Sequence, residues 1–494
     1  MDSLRCAVWF AAVILALWPL GAAAGDDAAR ESPRGVRACW PGYRGPNHDG
    51  TSDEVVKLGD DAPRLLWQQK IATGVSSCAV VGNRLWTQGG RGKSYTVYAL
   101  DTADGDILWQ RRLTASPGNV IVIKGTKASG KNRKEVEHEE KVYGMGLVCG
   151  TPCFSDGKVY TYGVSADLHC LSADTGEIIW HRALMADLPA RSHHYGYCCS
   201  PMVVNGLVIV PISLATPPKG AFRGEDEGLV IRGGIVMAFD AETGKEVWRN
   251  EMGACGWSTS TFAQLDGRDT IIHYSGTLVV GMDPKTGKTL WHYDPLAAGL
   301  CLKGKEAAEV GAGATVVGSR VLFPSHAYRT TICIEVADGR AEHKWTTDAG
   351  NHFLNGAVHD GVWVTAACGK GGKTRDTLYG IDIQTGEVLW TEALRRREDT
   401  RRRSGCRGDG LMIAGDTLAL ITSSGEVILG RVSRKGLERL ACIEIENRKK
   451  HASAGHGLHT PPVLTGNRLY VRVGENIYAY STEGKTRTSE TGLD

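Results

Sequence analysis

One phrase recurs along the chain and constrains its fold more than any other feature. ALDTADGDILW ends at Trp109, CLSADTGEIIW at Trp180, AFDAETGKEVW at Trp248, GMDPKTGKTLW at Trp291 and GIDIQTGEVLW at Trp390. A degraded copy, CIEVADGRAEHKW, ends at Trp345, and a further one without its tryptophan runs GRVSRKGLERL to Leu440. The unit is roughly 40 residues long, and the longer intervals carry insertions. Within the phrase, Asp101, Asp174, Asp240, Asp283 and Asp382 are placed to accept backbone N–H bonds across a turn. Gly105, Gly176, Gly244, Gly287 and Gly386 supply the left-handed conformation that such a turn requires. The tryptophan then falls on a last strand, where its flat surface can fill the gap between neighbouring units.

Ahead of each copy lies a second phrase, as in SSCAVVGNRLWT, GTPCFSDGKVYT, CSPMVVNGLVIV and HTPPVLTGNRLYV. Small residues, an apolar run, a two-residue turn and another apolar run spell strand, tight hairpin, strand. Each unit therefore has four strands, and four-stranded units repeated radially form a β-propeller. Hairpin starts fall near Ser76, Gly150, Cys199, Ser258, Gly313, Leu354, Gly410 and Thr460. The expected fold is all-β, an eight-bladed β-propeller of four-stranded antiparallel blades. The last blade stops at AYSTEGKT with no fourth strand, while PRLLWQQK around Trp67 is a strand without a blade. Adding that N-terminal strand to the last blade closes the ring and removes two unpaired edges.

The expected organisation is an export signal at 1–24, an extension at 25–62, the propeller at 63–483 and a tail at 484–494. Arg5, the apolar run Cys6 to Leu20 and Ala22-Ala23-Ala24 ahead of Gly25 read as a cleavable secretory signal. This places the mature protein in the periplasm or outside the cell, and no later stretch is apolar enough to span a membrane. A formal charge of +2 provides no global field for nucleic acid. Three insertions interrupt the repeat: Thr114 to Met145, Leu214 to Gly234, and Arg395 to Arg407 with its run of arginines. Loops on a rigid scaffold are where binding commonly resides.

The fullest copy of the repeat, with Ala238, Asp240, Thr243, Gly244 and Trp248, resembles the tryptophan-docking motif of the pyrroloquinoline-quinone (PQQ) type propellers. The resemblance runs from about Arg64 to Ser481. The opening WPGYRGPNHDGTS, Trp40 to Ser52, is similar to the segment preceding the propeller in exported PQQ-like repeat proteins of planctomycete-type bacteria. That family implies two functions of different class. One is a non-enzymatic binding or scaffold module for a protein or extracellular polymer. The alternative is a PQQ- and calcium-dependent dehydrogenase of alcohols or sugars, in which a vicinal disulfide covers the quinone, calcium polarises it and a carboxylate takes the substrate proton.

Cys198-Cys199 is the pair such a disulfide would use, yet Cys199 falls in the column of Ser76 and Gly150, a small-residue position in a first strand. Cys170 and Cys333 likewise stand where other copies have Ala99, Ala238, Gly281 and Gly380, which makes them small core residues. Cys149 and Cys153 lack a second pair to complete a metal site. His193, His194, His451, His456 and His459 precede first strands, and so approach the central channel. No Glu, Asn or Asp matches a quinone-calcium motif, and neither a nucleophile elbow nor a phosphate-binding loop is present. The binding module is therefore the leading expectation, with no catalytic or metal-ligating residue assigned.

Overall fold

The computed structural model describes residues 39–59, 63–91, 94–116, 121–129, 132–140, 148–188, 190, 196–214, 234–252, 257–276, 278–295, 297–300, 311–325, 330–350, 355–367, 377–394, 410–422, 425–445 and 460–483. Eight antiparallel blades stand around a central axis. Blades 1 to 7 span 79–114, 153–183, 202–250, 261–293, 315–347, 357–393 and 410–444. Blade 8 consists of Val463–Thr465, Arg468–Val473 and Asn476–Ser481, and its outer strand is Arg64–Lys70 from the other end of the chain. Arg64 pairs with Ser481 and Lys70 with Asn476, so the ring closes as expected from the sequence. The one helix among the described residues is the single turn Leu184–Asp187.

The repeat phrase builds the seams between blades. Trp67 of blade 8 donates its indole N–H to Thr102 O of blade 1 at 3.0 Å, Trp109 to Ala173 O at 2.9 Å, and Trp180 to Ala241 O at 2.9 Å. Trp248, Trp345 and Trp390 repeat this on Pro284, Ile383 and Ser433. The rings of Trp67, Trp109, Trp180, Trp248 and Trp345 lie against the turn glycine of the next blade, where φ is positive. At Gly244, with φ +66°, a Cβ would stand 2.7 Å from the Trp180 ring. Asp240 Oδ1 accepts from the amide of Thr243 at 2.8 Å and from its hydroxyl at 2.7 Å, which fixes the turn and holds the carboxyl below the usual carboxylate range. In blade 2 this role belongs to Ser172, whose Oγ accepts the Thr175 amide. Asp174 stands one position beyond Ala173 and pairs instead with Arg84 of blade 1.

All eight outer strands carry a β-bulge at the same place, the residue just before the tryptophan column. The extra residues include Leu108, Ile179, Val247 and Leu440, all well exposed. A bulge twists the free edge of each blade away from straight pairing with another chain. In blade 7 it also corrects the sequence alignment. Ala441, not Leu440, pairs with Leu429 in the manner of Trp109 with Ala99.

Candidate functional site

The antiparallel order gives the ring two unlike faces. Hairpin turns joining first to second and third to fourth strands form one, here the turn face. Connections between second and third strands and between blades leave from the other. All three insertions leave at this connection face, after Thr114, after Ser213 and after Ala393. Within the first of them, Ile121–Ser129 and Asn132–Glu140 pair as a separate two-stranded ribbon.

Residues 39–59 enter the channel and fold back over its mouth. Cys39–Trp40 enters from the turn face and adds an antiparallel fifth strand to blade 1, with Trp40 opposite Val80. Pro41 O accepts from Phe154 N of blade 2 at 2.7 Å. Arg44 is buried near the axis, donating to Gly356 O of blade 6 at 3.1 Å, to Thr315 Oγ1 of blade 5 at 2.7 Å and to Asp49 O. The ring of His48 meets Phe262 of blade 4 edge-on at 5.9 Å. The segment then returns, Thr51–Ser52 running parallel to blade 7, and Glu54 accepts from the Thr465 hydroxyl and the Gly466 amide of blade 8. Gly45 permits this tight path, because at φ +72° a Cβ would stand 2.5 Å from the Trp40 ring. Burial holds the Arg44 guanidinium below its ordinary range.

Polar groups at the starts of the first strands are engaged between blades. Ser77 N donates to Thr151 Oγ1 at 3.1 Å, Thr151 N to Ser200 Oγ at 2.9 Å and Ser200 N to Thr259 Oγ1 at 2.9 Å. Gly313 N donates to Asn355 Oδ1 at 2.9 Å, and Ser77 Oγ to Pro461 O at 2.8 Å. The cavity left against the segment, lined by Trp40, Tyr43, Arg44, Asn355, Leu411 and Pro461 among others, is about 20 Å³. Such a space suits about one water molecule. Among the described residues, no group of three or more His, Cys, Asp or Glu is arranged to hold a metal. Hydroxyls and an amide already bonded to backbone, beside a buried cation, do not fit a quinone with its calcium ion.

Cys199 is fully buried between blades 2 and 3 with Tyr160, Tyr197 and Met237, whereas Cys198 is half-buried with its Sγ 3.8 Å from Gly196 O. Cys170 and Cys333 are likewise fully buried. Burial pushes the Cys170 thiol up to about 12 and those of Cys153 and Cys333 up to about 11, so they behave as small apolar groups rather than nucleophiles or ligands. His193, His194, His451, His456 and His459 lie outside the described residues.

A cluster that the sequence did not mark sits at the connection face between blades 1 and 2. Asp167, wholly buried, accepts from Ser116 N at 3.0 Å and pairs with His181 Nε2 at 3.0 Å. His169 stacks on His181 at 4.1 Å, and its Nδ1 lies 3.3 Å from the Tyr95 hydroxyl. The array ties the root of the first insertion to blade 2. Burial, then the neighbouring His181, push His169 down to about 3, against the partial opposition of Asp167. His169 is thus neutral in the folded ring but takes a proton near pH 6.5 when unfolded. The unfolded state binds more protons, so stability falls as pH drops from about 6.5 toward 3, by about 1.4 kcal/mol per pH unit for this one group. Urea titrations across that range are expected to show a flatter slope for His169→Gln than for the parent. Equal slopes would mean that His169 is not held neutral.

A family model described as outer membrane protein assembly factor BamB matches residues 49–145, 122–366 and 302–491. The chain belongs to this family. No curated protein sequence shows significant similarity to it. Among solved structures, quinohemoprotein alcohol dehydrogenase from Comamonas testosteroni aligns over 92% of this chain and 82% of its own, with TM-score 0.57 and 15% identity. BamB from Moraxella catarrhalis aligns over 85% and 98%, with TM-score 0.51 and 13% identity. The computationally designed Ika8 protein does so over 85% and 99%, with TM-score 0.51 and 12% identity. A dehydrogenase, an assembly factor and a designed protein sharing one architecture demonstrate the fold and leave function to the site.

Proposed function

We propose that this BamB-family ring is an exported binding or scaffold module whose connection face receives a protein or an extracellular polymer. The observation that carries the reading is the channel filled by the chain's own residues 40–50, with Arg44 among blades 5 and 6. That filling leaves the connection face, where the insertions leave the ring, as the surface on which recognition is built. Export rests on the N-terminal apolar run and its Ala22-Ala23-Ala24 boundary. No helix among the described residues is long and apolar enough to cross a membrane.

The test uses the parent chain, cross-linked in its native cells, to identify the partner and the mature N-terminus, expected near Gly25. Replacing residues 117–147 by a short Gly-Ser turn, and the arginines of 395–407 by serine, is then expected to leave the melting temperature nearly unchanged. At least one replacement should weaken partner binding about tenfold, or roughly 1.4 kcal/mol. Undiminished binding by both, or a retained Met1, would count against the proposal. So would a calcium-dependent change in PQQ absorbance with a Kd at or below the micromolar range, roughly −8 kcal/mol.

A further inference from the structure

Seven blades carry a docking tryptophan in the outer strand, and blade 7 has Ala441 in that column. The seam from blade 7 to blade 8 therefore lacks the tryptophan that the other seams carry, whose indole N–H in six of them bonds a carbonyl of the next blade. The acceptor is nonetheless present. Thr102 N donates to Asn83 O at 3.0 Å and Thr102 O takes an indole N–H. Its counterpart in blade 8 is Thr482, whose N donates to Asn467 O at 3.0 Å. Thr482 O accepts the backbone N–H of Gly59 at 2.8 Å.

The neighbouring contacts repeat this substitution. Val56 and Leu58 pack against a core that joins Met412, Ala414 and Leu429 of blade 7 to Val463 and Leu469 of blade 8, and Ala441 packs against the same core. Gly415 N of blade 7 donates to Ser52 O at 2.8 Å, while Lys57 N donates to Asn467 Oδ1 of blade 8 at 3.0 Å. Apolar surface and a hydrogen-bond donor, which one tryptophan supplies elsewhere, come here from a separate stretch of chain.

We infer that residues 52–59 replace the missing tryptophan of blade 7, so that the N-terminal segment acts as a clasp across the seam between blades 7 and 8. The same stretch continues into Trp40–Gly50 in the channel. Release of the clasp therefore loosens that seam and unblocks the turn-face mouth together. This makes the seam the place where the ring opens.

The experiment is a double-mutant cycle in the full chain. Leu58→Ser is expected to destabilise the ring and to speed amide exchange in Thr417–Ile421 and Arg468–Val473 about tenfold, with little change in Leu207–Ser213 of blade 3. Ala441→Trp alone is expected to lower stability, because the new ring competes with Val56 and Leu58 for one space. Combined with Leu58→Ser, it should restore stability and slow exchange at the seam. Additive effects of the two substitutions, or exchange raised equally in all blades, would overturn the clasp. If Leu58→Ser yields no folded protein, Val56→Ser, which opens the same space beside Ala441, takes its place in the same cycle.

Discussion

Deleting Arg64–Lys70 is expected to unfold the whole ring rather than loosen one blade. The strand pairs along the length of Asn476–Ser481, and without it blade 8 keeps three strands and an exposed edge. The deletion also removes Trp67, which is buried, packs at 6.1 Å from Tyr470 and anchors on Thr102 of blade 1. Truncating a core aromatic of this size alone costs about 3–5 kcal/mol. Net stabilities of domains are only about 5–15 kcal/mol, so losing the strand and its tryptophan together removes most of the margin. Thermal or urea unfolding of Trp67→Ala and of the deletion would show a graded and then a near-complete loss. A deletion variant that melts with the parent would mean that another segment closes the ring.

Arg472→Ala is expected to have the next largest effect. Arg472 is fully buried in blade 8, and its hydrogen-bond partners among the described residues are carbonyls and one hydroxyl. Nη1 donates to Ser76 O at 3.2 Å, Thr87 Oγ1 at 2.8 Å and Gln88 O at 2.5 Å, and Nη2 to Ala72 O at 3.0 Å. Burial pulls its guanidinium down to about 10. The backbone makes room, since a Cβ on Gly74 would stand 2.7 Å from Nη2. Three carbonyls lose their donor in the alanine variant. At roughly 1–3 kcal/mol for each orphaned acceptor, the loss is about 3 kcal/mol or more. Lysine lacks the planar fork and is expected to rescue only part of it. A melting temperature within a degree of the parent would refute this role.

These two sites differ in how far the sequence disclosed them. Trp67 was legible because it broke a period: a repeat phrase counts its own copies, and a strand without a blade beside a blade without a strand has one economical solution. Arg472 was not, because VRVGEN reads as alternating strand, and nothing local says that the arginine points inward. His169 and His181 were hidden likewise, since each sits in an ordinary strand of blade 2 and they meet only through pairing. The path of WPGYRGPNHDG was invisible for a geometric reason. Its partners, such as the Thr315 hydroxyl and the Gly356 carbonyl, are hundreds of residues away, and groups so common leave no mark in composition. The one available signal was an island of aromatic, glycine and proline residues outside the repeat. The repeat letters are displaced at Asp174 by two positions and at Leu440 by one, because a serine in place of aspartate and a bulge preserve the geometry while shifting the letters.

The entry of Cys39 and the exit of Glu483 share one side of the ring. Cys39 lies beside Val81 and the Thr465 hydroxyl, and Glu483 follows the last strand of blade 8 at the same end. Any stalk, carrier or affinity handle joined at Cys39 or Glu483 therefore grips the stoppered side, and the opposite side looks outward like the bowl of a cup held by its foot. A surface attached at those two points faces the plugged mouth, and the face from which the three insertions depart is turned toward the medium.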